Sequence, residues 1–149
     1  MDYMPSLAQN KSARFDYDIL ETYEAGLVLS GAETKAVKNG QVSLKGSFVT
    51  FHGSEALLTN AHISPYPFAR QTDYDPTHSR PLLLHKKEVY YLKGKSLEAG
   101  LTIVPLSVYT KNRLIKVEVA VARGRKQYDK RAVIKKRDVE KEMRRVQSG

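Results

Sequence analysis

Leu114-Ile115-Lys116-Val117-Glu118-Val119-Ala120-Val121 sets an apolar residue at every odd position and Lys, Glu or Ala between them. A side-chain period of two belongs to a strand with one buried face. Just upstream, residues 101–109 are the other clear strand. The connection Thr110-Lys111-Asn112-Arg113 suits a hairpin, with Asn112 able to take a positive φ. Pro105 has no N–H for a ladder, so it belongs at an edge or a bulge.

Working outward, Phe15, Tyr17 and Ile19 alternate with Arg14, Asp16 and Asp18, which predicts another half-buried strand. A short apolar run at 27–29 follows Gly26. Ser30-Gly31-Ala32-Glu33 has capping-box spacing, and the helix it opens stops at Asn39-Gly40. That helix sets Lys35 and Lys38 close together. Residues 48–51 and 56–63 read as strands joined at His52-Gly53-Ser54. Residues 64–80 hold three prolines and no periodicity, a long loop of the kind that is usually functional or disordered. Residues 82–93 regain helical spacing through Leu82, His85, Val89 and Leu92, and Gly94 weakens or ends that helix. About six strands and two or three helices in residues 1–122 predict a mainly β domain. Short antiparallel strands must protect their edges, so a small closed or partly closed barrel is expected.

Residues 123–149 differ from this body. They carry eleven basic and four acidic residues, whereas the first 122 carry fourteen and twelve, within a chain of 149 residues and formal charge +9. An excess of positive charge in one terminal segment is the footprint of a polyanion partner, or else a solvated tail. Arg123-Gly124-Arg125-Lys126-Gln127-Tyr128-Asp129-Lys130-Arg131 mixes cations with a stacking aromatic, as unpaired nucleic acid requires. Farther on, Val139, Met143 and Val146 recur at helical spacing behind Asp138. Such a thin apolar stripe is marginal alone and can order on a partner.

The function classes left open are few. The chain has no cysteine, so a thiol nucleophile, a disulfide scaffold and a Cys-based zinc site are excluded. No apolar stretch reaches membrane-spanning length, no secretory signal is visible, and a cytoplasmic protein is expected. His52, His62, His78 and His85 lack zincin spacing. Asp73, Asp75 and His78 form the one compact acid–His cluster, readable as a metal or acid–base group of an RNA-processing enzyme or as ordinary turn chemistry. No catalytic site, metal site or cofactor is expected.

Several segments together resemble the SmpB family, the SsrA-binding proteins of bacterial ribosome rescue. They are Asn10-Lys11, Tyr17, Tyr23-Glu24-Ala25-Gly26, Gly31-Ala32-Glu33-Thr34-Lys35, Asn60-Ala61-His62-Ile63, Asp75-Pro76-Thr77 and Leu82-Leu83-Leu84-His85-Lys86. Val104-Pro105-Leu106-Ser107, Lys116-Val117-Glu118-Val119 and residues 124–131 complete the series, in family order. The resemblance implies an oligonucleotide-binding-type closed β-barrel with flanking helices. It implies a non-catalytic, monomeric adaptor that carries transfer-messenger RNA to stalled 70S ribosomes, alongside elongation factor Tu and alanyl-tRNA synthetase and away from membranes.

The same resemblance assigns RNA contacts to Asn10, Lys11, Tyr17, Glu24, Glu33, Lys35, Lys38, Arg80, Leu83 and Lys86, several of which have structural alternatives. It places Gly124, Arg125, Lys126, Tyr128, Asp129, Lys130 and Arg131 in the decoding centre, beside small-subunit ribosomal RNA. Three positions depart from the family pattern. Pro81 replaces a basic residue, Arg113 stands where Gly is frequent and leaves the positive φ to Asn112, and Tyr128 falls where Tyr and His alternate. A structural ribosomal protein is the remaining reading.

Overall fold

The computed structural model of the chain describes residues 6–68 and 73–125. Nine strands and three helices follow in the order β1 (Ser6–Gln9), α1 (Lys11–Asp16), β2 (Tyr17–Leu27), α2 (Gly31–Lys38), β3 (Val42–Ser43), β4 (Phe48–His52), β5 (Glu55–Thr59), β6 (His62–Ile63), β7 (Arg80–Leu83), α3 (Lys86–Ser96), β8 (Leu101–Lys111) and β9 (Leu114–Gly124). Seven strands form one antiparallel sheet ordered β1-β8-β9-β2-β7-β5-β4, and β3 pairs with β6 alone.

The β8–β9 hairpin is the frame. Its alternation buries Ile115, Val117, Val119 and Val121 in the main core, with Ala25 and Leu27 of β2, Leu58 of β5 and Val89 and Leu92 of α3. The opposite face carries a smaller cluster, in which Ala13 of α1 covers Val104, Leu106, Ala120 and Ala122. Bulges let one strand serve both faces: the β2–β9 register shifts between Ile19 and Glu21, and β8 shifts between Pro105 and Ser107. Pro105 therefore sits at a bulge, as its missing N–H demands.

Several sequence expectations hold and several shift. The Ser30 capping box forms, with Ser30 Oγ accepting from the Glu33 N–H and the Glu33 carboxylate accepting from the Ser30 N–H, both at 3.1 Å. The helix ends at Asn39, followed by Gly40 at φ 76°. Arg14, Phe15 and Asp16 lie in α1 rather than in a strand, because Asn10 caps a short helix whose Ala13 is buried. Residues 56–63 split into β5 and β6 at Asn60, which takes φ 68°. Leu82 and Leu83 are in β7, paired to Ala56 and Gly26, so the helix starts at Lys86 and runs through Gly94. Both hairpin residues take left-handed backbone, Asn112 at φ 52° and Arg113 at φ 65°, so the positive φ is not left to Asn112 alone. A two-residue connection needs this primed turn to follow the strand twist.

Among the described residues the expected barrel closure is not found. β1 and β4 remain edges of the large sheet; β4 packs against β8 without a ladder between them. A cleft of about 320 Å³, lined in part by Asn10, Ala13, Phe48, Thr102 and Val104, lies at this seam. Asn10, Ser12 and Ala13 of α1 and its cap line that cleft from one side.

Candidate nucleic-acid interface

Strand register builds one exposed surface. Tyr109 pairs with Lys116, Lys116 with Gly26 and Gly26 with Leu83, giving a row across β8, β9, β2 and β7. Ser107, Glu118 and Glu24 form the next row on the same face. At Gly26 an added Cβ would stand 3.3 Å from that of Leu83, so the two strands pass closely there. Leu83 is 65% exposed, and its neighbour Lys86 begins α3 in solvent.

Glu24 is not a bare anion on this face. The Tyr109 hydroxyl donates to it at 2.6 Å and Lys111 Nζ lies 3.3 Å away. The Tyr109 hydrogen bond, with help from Lys111, holds its carboxyl below the ordinary range. Burial, reinforced by Glu24, pushes the Tyr109 phenol up. The carboxylate thus fixes two side chains and keeps spare acceptor capacity toward solvent. Nearby, Arg14 reaches Glu118 at 3.4 Å.

A second group sits on α2. Lys35 and Lys38 are exposed, and Lys35 Nζ lies 5.5 Å from the Tyr66 ring centroid. Tyr66 meets the exposed Phe68 edge-on at 5.5 Å between centroids.

Beneath α2 lies a buried polar lock. Arg80 has no exposed surface and donates from Nε to Glu33 at 2.7 Å, and to the Ala61 carbonyl, the Tyr74 hydroxyl and the Pro76 carbonyl. His78 Nε2 contacts the same Glu33 oxygen at 2.8 Å. Burial opposes ionisation of Glu33. The Ser30 N–H, Arg80 and His78 nevertheless outweigh it and hold the carboxyl at about 2. Glu33 and Arg80, expected at RNA, are thus enclosed here and engaged with each other.

Asn10 is likewise buried. Its Oδ1 accepts from the Ala13 N–H and its Nδ2 donates to the Pro105 carbonyl. Lys11 is exposed beside it, and Tyr17 ends α1. The chain leaves the sheet here: Arg125 donates from its backbone to the Asp16 carbonyl and from Nε to Asp18 at 2.8 Å. Gly124 packs near the Tyr17 ring. The expected decoding residues Lys126, Tyr128, Asp129, Lys130 and Arg131, and the helical spacing at 138–146, lie outside the described residues.

The acid–His cluster is otherwise occupied. Asp75 accepts from the Thr77 backbone and hydroxyl, and His78 turns to Glu33. Among the described residues no group of three or more His, Asp and Glu is placed to hold a metal. None of their helices is long and apolar enough to cross a membrane. Sequence reading overlooked Tyr109 and Lys111, the partners of Glu24, because strand register brings them there from more than eighty positions away.

The chain is similar over most of its length to known proteins. The model of the family described as SmpB protein matches residues 7–148. The SsrA-binding protein of Leuconostoc mesenteroides is 52% identical over 139 residues, covering 93% of this chain and 90% of that protein. The SsrA-binding protein of Halothermothrix orenii is 48% identical over 145 residues, covering 97% and 94%. A solved chain described as "tmRNA-SmpB: a journey to the center of the bacterial ribosome" aligns at a TM-score of 0.67 with 46% identity, covering 80% of this chain and 84% of that one.

Proposed function

This chain belongs to the SmpB family, and from that premise we propose that it binds the tRNA-like domain of transfer-messenger RNA (SsrA) and delivers it to stalled ribosomes. The match over residues 7–148, with about half the residues identical in SsrA-binding proteins, carries this reading. Its physical support is the row of half-buried Tyr109 and Lys116 and exposed Leu83 with Glu24 beside it, and the lysines of α2. Ammonium groups neutralise phosphates, while Glu24 can accept from a base or a ribose hydroxyl.

The adaptor is non-catalytic, monomeric and cytoplasmic, and its sheet is an oligonucleotide-binding-type fold left open at one seam. Elongation factor Tu and alanyl-tRNA synthetase act in the same pathway. Lys11, Tyr17, Lys35, Lys38, Leu83 and Lys86 reach RNA directly. Asn10, Glu33 and Arg80 act by holding α1, α2 and the long loop in place. The basic segment after Arg125 enters the decoding centre and the empty messenger channel.

Crosslinking followed by RNA sequencing on ribosomes stalled at truncated messages tests partner and context together. SsrA RNA and small-subunit ribosomal RNA should dominate the crosslinks. Equal occupancy of actively translating ribosomes, with SsrA RNA missing, would identify a structural ribosomal protein instead.

A further inference from the structure

α3 faces the turn between β4 and β5 across a cleft of about 750 Å³. That is within the roughly 300–1,000 Å³ of clefts that hold small ligands. Val89 forms its buried floor, and Tyr90 and Leu97 stand beside it at 83% and 81% exposure. Lys86, Lys87 and Lys93 line it as well, and among the described residues no carboxylate does.

Tyr91 faces the sheet and donates to Glu21 at 2.8 Å. Tyr90 points the other way, and its hydroxyl has no hydrogen-bond partner among the described residues. The helix's other charges are already committed: Glu88 accepts from the His85 N–H and Lys95 pairs with Glu98. Lys86 and Lys87 form no ion pair among the described residues. Lys93 donates to the Gly53 carbonyl, tying the turn to the helix and fixing the width of the cleft.

We infer that this cleft is a nucleotide site, in which one unpaired base of the bound RNA stacks on Tyr90 over Val89 and Leu97 while its flanking phosphates meet Lys86 and Lys87. An aromatic face takes any base, and ammonium groups supply the sequence-independent grip. Lys86 belongs to both surfaces. It follows the exposed Leu83 by three residues and lines the cleft, so the chain leads from the end of the sheet row into the cleft wall. An acidic peptide would satisfy the lysines, but it would not share that continuity. The inference rests on the RNA-adaptor reading above and adds a second point of contact to it.

The chain contains no tryptophan, so Tyr90→Trp installs a single indole reporter. Full-length Tyr90→Trp protein should lose emission on titration with the tRNA-like part of SsrA RNA, saturating with binding seen by anisotropy of labelled RNA. Tyr90→Phe should bind as the parent does. Tyr90→Ala should bind roughly 5- to 150-fold more weakly, the range for one base–aromatic stack. Tyr90 is largely exposed, so its truncation leaves the core intact, and circular dichroism verifies this. Unchanged emission while the labelled RNA binds, or parental affinity in Tyr90→Ala, would overturn the cleft assignment and leave the adaptor reading standing. Quenching by an acidic peptide and not by RNA would overturn it too. If the parent binds this RNA no better than an unrelated one, the adaptor reading falls first.

Discussion

Arg80 carries a charge out of water, and such a group must find partners for its donors. It finds Glu33, Tyr74 and two carbonyls, so α2, the Ala61 segment and the end of the long loop meet on one guanidinium. Arg80→Met should destabilise the chain by about 3–5 kcal/mol in urea unfolding, because Glu33 is left buried without its cation. Arg80→Lys should rescue little, since an ammonium cannot reproduce the planar fork. The lock is also sensitive to acid. Glu33 ionises at about 2 when folded against an ordinary 4.5, so its contribution is complete above pH 4.5 and is lost as pH falls toward 2. Glu33→Gln should show a smaller drop in urea midpoint than the parent between pH 5 and 2.5. Half of this arrangement is legible in the sequence. The Ser30–Glu33 capping box is a local pattern, whereas Arg80 lies 47 positions from Glu33 and nothing local announces their meeting.

At the scale of elements, the β8–β9 hairpin is written in period-two alternation and appears as expected. Short elements are harder to read. Leu82-Leu83-Leu84 satisfies a strand or a helix equally well, and only pairing with Gly26 and Ala56 decides for β7. α1 is six residues long, too short to show a helical period, and Asn10 is its one local signal. Barrel closure is hard to read for a related reason: whether β4 pairs with another edge or only packs on β8 depends on tertiary placement, and no strand pattern encodes that. The turn itself is improvable. Arg113 holds φ 65°, which costs a side chain roughly 1–2 kcal/mol relative to glycine. Arg113→Gly should therefore stabilise the fold by about 1 kcal/mol, raising the melting temperature by roughly 2–4 °C. No change, or a loss, would mean the turn relaxes without strain.

For the whole molecule, charge is distributed between a nearly balanced body and a strongly basic end, +2 over residues 1–122 and +7 over residues 123–149. That division is plain in the sequence, but charge alone names no family; the chain-wide motif series does. Arg125 is hydrogen-bonded to Asp16 and Asp18 where α1 passes into β2. Removing residues 126–149 should then spare most binding to free SsrA RNA, within about threefold, and abolish peptide tagging on stalled ribosomes. Loss of free-RNA binding in that truncation would move the main contact surface from the sheet to the basic end. The most direct measurement is equilibrium binding of the full-length chain to the tRNA-like part of SsrA RNA and to an unrelated structured RNA of equal length, across a salt series. Binding to the SsrA fragment should be tighter at every salt concentration, with affinity for both RNAs falling as salt rises. Equal affinity for the two RNAs would contradict it.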